Sequence, residues 1–592
     1  VAEVVILFWR VYMFRFSPRT NRAHLITWRE WGEEAFQEAQ QQDKPVLLFL
    51  TAFWCGYCQR MDETSLSNDE VLALLNAFFI PIRVEESQRP DVDLRYNQDG
   101  WPTIAFLTPA GDHLFSVNYM APEPFITLLV RVIDFYQRDK ATILETATRN
   151  RAEALERQSA EEPAPLDACI IAEIAGMVEG LADPVHGGYG TRVKFFHTEA
   201  HDFFLYLFEV TGQSSYLNHV TFTLEKMRQS RTLDAKDGGF FRYSSRADWQ
   251  EPHPEKLLDD QASLLRTYLR TYLLTEQVSY RETAEGLVDY LNTTLSEAAQ
   301  PCFFGCQDYV RPECDTSASR TPGPPPLMSL IDEFVYCDAN ARAASAYLDA
   351  WWLLGRKDCQ ERAQKVLDQL WDTLRAPDGG MYHYSDGQPC VPGLLMDSVM
   401  TGLALLDAYA VCGTAVYLER ARQLAGDIVR NHRNAAGGFF DISKAGPASL
   451  QFPVTVLAQN ANVAAFFVRL ADLSGDIDYR KTAHWALRSF PNLHRDYEAF
   501  AAGFGHALGR LLALPWLITI KGLPGDSGVR CLARAALTQL RHGDLVLQFR
   551  EDRESRTASA EVQIGDSLVG SITDPSCLRP ELSTILDRGK EA

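Results

Sequence analysis

Residues 45 to 53, "PVLLFLTAF", are apolar on both faces, the pattern of a strand buried within a sheet. A short helical pattern, "EEAFQEAQQQDK", precedes them from Glu33. After them come a helix opening at "CGYCQRM", then "SNDEVLALLNAFF", a helix capped at Ser67 or Asn68, and the short strand "IPIRVE". "GWPTIAFLTPAGDHLF" reads as a strand and a hairpin that turns at Ala110–Gly111. These elements predict an α/β domain over residues 24–145.

From about Pro165 the period changes to that of long amphipathic helices. "TGQSSYL", "LTEQVSY", "LGRKDCQ", "CGTAVYL" and "LSGDIDY" recur between paired helical runs at a spacing of about 60 residues, so each repeat is one helical hairpin. Twelve helices in six hairpins over residues 165–515 predict a closed (α/α)6 toroid, because a ring leaves no inner helix uncovered. Between hairpins stand "HGGYG", "DGGFFRYS", "DGGMYHYS" and "AGGFFD". All precede an inner helix and should gather at one end of the ring, with the aromatic after each glycine pair free to line a mouth. After Pro515 the pattern alternates again in "WLITIKG", "DLVLQFRE" and "ASAEVQIGDSLVGSI", with the helix "SGVRCLARAALTQL" between the first two. Residues 516–592 are therefore expected to form a small α/β domain.

With 592 residues, 46% of them apolar, several cores are required. The net charge of −21 and the sequence pI of about 5.1 argue against a nucleic-acid partner, since no basic stripe offsets the carboxylates. "VAEVVILFWRVYMF" is broken by Arg10 and fits neither a signal peptide nor a spanning helix, so no membrane partner and a cytoplasmic location are expected. Cysteines 169, 302, 306, 314, 337, 359, 390, 412, 531 and 577 are scattered in the manner of reduced core thiols.

Cys55 and Cys58 differ. Two residues between them, in the first turn of a helix, leave the first sulfur at the positive helix end and the second within disulfide reach. Cys55 would attack and Cys58 resolve, with Trp54 shielding the pair and Pro102 of "GWPT" bringing a backbone edge beside it for an extended polypeptide. A metal would need two more ligands, and neither His113 nor Cys169 has matching spacing, while an inert pair in a degenerate fold is the third reading. No metal or cofactor is expected here. "CFFGCQDYVRPEC", residues 302–314, likewise matches no common zinc spacing and leads into "TPGPPP", which suggests a lid or surface insertion.

The element order is thioredoxin-like. "LITWREWGEEAFQEAQQQDKPVLLFLTAFWCGYCQRM", "IPIRVEESQRPDVDLRY" and "GWPTIAFLTPAGDHLF" further resemble the thioredoxin-domain family related to spermatogenesis-associated protein 20. Family members place His after the second cysteine, where this chain has Gln59, so the thiol pKa values need not follow the family. The resemblance continues in "GG-x-x-R-Y-S" followed by "H-x-E-K-x-x-x-D", and it implies the same head and helical toroid.

Within the toroid, "DWQEPHPEKLLDDQASLL" brings His253, Glu255, Lys256, Asp259 and Asp260 to a helix start. Asp338 and Asp397 stand at two further helix starts, and Phe240 and Tyr243 belong to the preceding glycine loop. Toroids of this kind resemble sugar epimerases and six-hairpin glycosidases, in which acids or histidines act on a ring held against aromatics. The plainer alternative is helix capping, with Lys256 pairing Asp260 at i,i+4. Three functions remain open: thiol–disulfide exchange with a protein disulfide substrate, carbohydrate hydrolysis or isomerisation with a carbohydrate or small-molecule ligand in the toroid, and a non-catalytic interaction platform.

Overall fold

The computed structural model describes residues 14–98, 100–158, 165–310, 328–490, 493–523, 526–539, 545–552, 557–565 and 567–573. The amino-terminal apolar run up to residue 13, Cys314, "TPGPPP" and Cys577 lie outside the described residues. The chain divides into two compact units. One holds Val1–Glu161 with Asp308–Leu330 and Lys444–Val454, and the other holds Glu162–Gln307, Ile331–Ser443 and Thr455–Ala592.

In the first unit, α1 (Glu33–Gln42) leads into β1 (Val46–Thr51), every residue of which is buried. Then follow α2 (Gly56–Glu63), α3 (Asp69–Phe78), β2 (Ile80–Glu85), α4 (Pro90–Tyr96), β3 (Thr103–Leu107), β4 (His113–Val117) and α5 (Pro122–Gln158). Asn68 caps α3 by accepting the Glu70 and Val71 N–H groups, as its place before the apolar run predicts. The sheet order is β2-β1-β3-β4, with β1 parallel to β2 and the remaining pairs antiparallel. Helix α4 is an addition to the predicted order, and Pro90 in its first turn is its sequence signal. Beneath α2, Asp62 and Arg83 form a bidentate ion pair, 1% and 3% exposed, with the guanidinium over the rings of Phe16 and Phe49.

The second unit is the ring. Its inner helices are α7 (Thr198–Thr211), α9 (Leu258–Thr275), α11 (Cys337–Leu354), α13 (Leu395–Cys412), α15 (Leu457–Ser474) and α17 (Ala502–Leu512). Each packs on the next, and α17 returns to α7. The outer helices α8 (Ser214–Arg228), α10 (Val278–Thr293), α12 (Lys357–Leu374), α14 (Ala415–His432) and α16 (Asp478–Leu487) each follow their inner partner. The sixth pair differs from the expected serial hairpin. Helix α6 (Ala168–Leu181), the first of the unit, packs on α17, the last, so the two ends of the domain complete the ring together. Helix α13 is apolar enough to cross a membrane, yet 78% of that stretch is buried inside this ring.

The roughly 60-residue sequence period has a physical cause. Five inner helices end in a left-handed residue, Gly212, Glu276, Gly355, Gly413 and Gly475, which lets the chain reverse into the outer helix. The glycine-pair loops follow a different rule from the expected one. Tyr189, Phe240, Met381 and Phe439 point into the core and do not line a mouth, all at 2% exposure or less. At Gly239, with φ of +73°, a Cβ would meet the Tyr290 ring at 2.8 Å, so only glycine lets the loop lie so close. An amide from the inner helix then locks the turn. Gln261 and Asn460 each accept from and donate to the backbone of one aromatic, Phe240 and Phe439 respectively, and Asn340 does the same for Phe303.

After the ring come β5 (Trp516–Gly522), α18 (Ser527–Gln539), β6 (Leu545–Glu551), β7 (Ser559–Ile564) and β8 (Ser567–Ile572). Their order is β6-β5-β7-β8, with β5 parallel to β6 and the rest antiparallel. That is the strand order and sense of the head sheet, here without a Cys-x-x-Cys sequence.

Asn340 is fully buried and also donates to the Tyr336 carbonyl at 2.9 Å. Asn340→Ala leaves the Phe303 backbone groups without partners and is expected to lower unfolding free energy by about 1–3 kcal/mol, read from the urea midpoint of the full chain.

Candidate functional site

The dithiol stands where β1 gives way to α2. Cys55 is the N-cap residue, and its Sγ accepts the Cys58 N–H at 3.0 Å. The two cysteines form a disulfide with their Cα atoms 5.2 Å apart. Cys55 is 6% exposed and Cys58 1%, so the first cysteine is the more accessible residue. Trp54 packs edge-on against Trp101 at 5.2 Å, and the Trp101–Pro102 peptide is cis.

Neighbouring side chains hold this corner. Glu85, at the end of β2, accepts the Phe53 N–H at 3.0 Å and the Gln88 N–H at 3.0 Å. The "R-P-D-V-D" segment also acquires a role: Arg89 clasps Asp91 through two bonds, and Asp93 accepts the Trp101 indole N–H at 2.9 Å. Burial pushes the Asp93 carboxyl up, while Asn97 and Trp101 oppose the shift. Gln59, in the place of the expected imidazole, donates to the Phe53 carbonyl at 3.3 Å and to Asp308 at 3.2 Å. Asp308 is 2% exposed, and burial pushes its carboxyl up to about 6. Its approach to the dithiol helix is invisible in a sequence separated by 249 positions.

In the ring, the residues singled out from the sequence divide into two groups. Lys256 is fully buried, and its Nζ donates to Asp234 and to the Gly238 carbonyl, both at 2.6 Å. It thus clamps the glycine loop and does not pair with Asp260. Glu255 is buried between Arg242 at 3.7 Å and His253 at 3.9 Å, and His253 stacks on Tyr243 at 4.0 Å. Burial, aided by Arg242, holds the His253 imidazole below its ordinary pKa. Phe240 is enclosed behind Gln261.

The second group gathers at the amino-terminal ends of the inner helices. Asp259 and Asp260 open α9, Asp338 opens α11 and Asp397 opens α13. Asp259 keeps a solvent-exposed face, yet the surrounding protein desolvates its carboxyl and raises it, with Asp338 adding to the rise and Arg342 opposing it. Burial and the charge of Asp259 raise Asp260 further. His383, on the strand Tyr382–Ser385, bonds through Nδ1 to Asp397 at 2.9 Å. Donor atoms of Asp338, His383 and Asp397 all lie within 4.8 Å of one another. His383 lay in the quoted "DGGMYHYS"; its signal was the alternation that turns it inward between two tyrosines.

Inside the ring, the inner helices present a girdle of charge. Arg266 reaches Asp349 at 2.7 Å and Asp407 at 3.9 Å, Arg469 reaches Asp407 at 2.5 Å, and Arg270 pairs with Glu209. A cavity of about 350 Å³ lies on the amino-terminal side of this girdle, and one of about 410 Å³ lies on the other, floored by Leu545, Val546 and Leu547. The two share Asp202, Arg266, His506 and Arg510.

The match to known proteins falls on the dithiol unit: residues 18–156 match the family Thioredox_DsbH, described as a protein of unknown function, DUF255. The head is a Thioredox_DsbH domain. The chain is homologous to mouse spermatogenesis-associated protein 20, 30% identical over 311 residues, which are 48% of this chain and 39% of that protein. The chain thus spans well under half the length of this curated relative. The thiol:disulfide interchange protein DsbD 1 of Pseudomonas aeruginosa is 39% identical over 84 residues, 14% of each chain. Among solved structures, cellobiose 2-epimerase from Bacillus thermoamylovorans B4167 is similar at a TM-score of 0.45 and 11% identity, over 56% of this chain and 88% of that one. The chain carries a Thioredox_DsbH head with a disulfide-forming Cys-x-x-Cys pair and a helical toroid compatible with ligand or partner binding.

Burial pushes Asp397 up to about 6, above the value near 3.9 of an unfolded aspartate. Between those values the native chain binds more protons than the unfolded one, so this group makes stability fall as pH rises. Asp397→Asn removes that share. The stability of the variant relative to the parent is expected to climb from pH 4 to pH 6 and then level off, measured by urea denaturation across pH.

Proposed function

We propose that the head carries out thiol–disulfide exchange with a protein substrate. What supports this reading best is the Cys55 sulfur at the start of α2, accepting the Cys58 N–H while Cys58 lies deeper. A helix amino terminus favours the thiolate, and the N–H that meets Sγ would hold its charge in the reduced form. The Cys55 thiolate attacks one sulfur of the partner disulfide and releases the other as a thiolate. The Cys58 thiolate then attacks Cys55 Sγ and expels the second partner sulfur. Two electrons pass to the partner, and the head is left as the Cys55–Cys58 disulfide. An external dithiol reduces it again.

Cys58→Ser stops the exchange at the mixed disulfide. Expressed in its native cells, this variant should retain a short, reproducible set of proteins linked through Cys55, identified by mass spectrometry and absent from the Cys55→Ser, Cys58→Ser double variant. An empty set from well-expressed protein with a titratable Cys55 thiol would remove this function.

A second reading has its own observation. The His383–Asp397 pair, with Asp338 beside it, supports general acid–base chemistry on a sugar at the ring mouth, making the toroid a hydrolase or isomerase with the head as its regulator. The Asp397 carboxyl bonded to Nδ1 orients the imidazole. Incubation with mono- and disaccharides, followed by proton NMR, should show turnover that His383→Ala reduces by about 10²–10⁴-fold.

A further inference from the structure

The cavity on the amino-terminal side of the girdle holds polar groups that neither reading uses. Its volume of about 350 Å³ is within the range of small-molecule sites, roughly 300–1,000 Å³. Most charged groups around the axis are already paired, Arg266 with Asp349 and Arg469 with Asp407. Four groups on the wall form no ion pair among the described residues: Asp202, which accepts only the Thr267 hydroxyl at 3.4 Å, and three others.

Arg342, on α11, makes no hydrogen bond or ion pair among the described residues and meets Asp259 only as a more distant charge. Glu199, on α7, forms no ion pair there and accepts only the Thr198 hydroxyl at 3.4 Å. The Nε2 of His506, on α17, is buried without any partner. Burial, reinforced by Arg270 and Arg510, keeps that imidazole neutral. Leaving a buried polar group unpaired costs about 1–3 kcal/mol, which applies to the His506 Nε2, while the half-buried Arg342 and the exposed Glu199 face the same space from other helices.

Charge balance decides what could fill it. An anion drawn to Arg342 would lie close to Glu199 and Asp202, and a cation drawn to Glu199 would lie close to Arg342, Arg266 and Arg510. Neither gains a net field, and opening an existing ion pair to improve the fit exposes an uncompensated charge. Hydroxyl groups suit all three positions, since each can donate to a carboxylate or accept from a guanidinium, and can meet a neutral imidazole in either role. Phe500, 66% exposed, stands edge-on to His197 on the same wall and offers an apolar face.

We propose that this cavity binds a neutral carbohydrate of monosaccharide or disaccharide size, with Arg342 and Glu199 gripping its hydroxyls and His506 meeting it at depth. The inference deepens the second reading of the toroid, and because binding is measured separately from turnover the two can fail separately.

The test is isothermal titration of the full chain with D-glucose, D-mannose and cellobiose, with inorganic phosphate and spermidine as charged controls. At least one sugar should bind, and Arg342→Ala and Glu199→Gln should each weaken it by about tenfold or more. Glu199→Gln changes only the charge of an exposed side chain, so it guards against a folding failure in the arginine variant. Binding without turnover leaves the inference standing and removes the catalytic reading. The inference falls if none of the three sugars binds at millimolar concentration, if phosphate or spermidine binds in preference, or if both variants bind sugar as the parent does.

Discussion

The ring depends on how closely α17 can approach α7. Gly505 and Gly509 lie one turn apart on α17, where a Cβ would stand 2.9 Å from the Phe203 ring and 2.6 Å from that of Tyr206. Side chains at either position would hold the helices apart and leave the inner surface with a seam. With the seam shut, every inner helix is covered on both flanks, and their inward charges are forced into one narrow axis. The girdle follows from closure: Arg266 spans three helices because there is no outside for its guanidinium to reach. The inner cavities are what remains above and below that girdle.

The head rests on a smaller constraint, the exit of β1 into α2. Glu85 fixes the strand end, Asp93 fixes Trp101, and the buried Asp62–Arg83 pair ties the underside of α2 to β2. These three carboxylates, each already engaged by a donor, brace the dithiol corner. This explains why "R-P-D-V-D" lies so far along the chain from the cysteines: it positions the tryptophan that packs against Trp54.

Periodic features were the legible ones. Alternation and 3.6-residue periods located the strands and helices, and the recurrent interhelical segments marked the left-handed caps. The dithiol could be read because its chemistry fits within four consecutive residues. Features assembled across the fold were not legible. Nothing local tells that α6 pairs with α17, that Asp308 bonds to Gln59, or that Arg342 and His506 face one cavity. The aromatics after the glycine pairs misled for a related reason: glycine permits close approach, but the Gln261 and Asn460 amides that draw Phe240 and Phe439 into the core sit 21 residues further on. Lys256 was ambiguous among several acids, and only the folded loop shows Asp234 to be its partner.

The pairing of α6 with α17 also orders events during synthesis. A ribosome delivers α6 first, with its apolar face, and the helix that covers that face emerges only after the other five hairpins. The head can complete its sheet early, since β1 to β4 are local in sequence. The ring cannot, and until its last helix arrives it remains an open arc with unsatisfied edges at both ends. A chain stopped short of α17 would therefore leave a thioredoxin-like head followed by an unfinished helical arc with uncovered apolar edges.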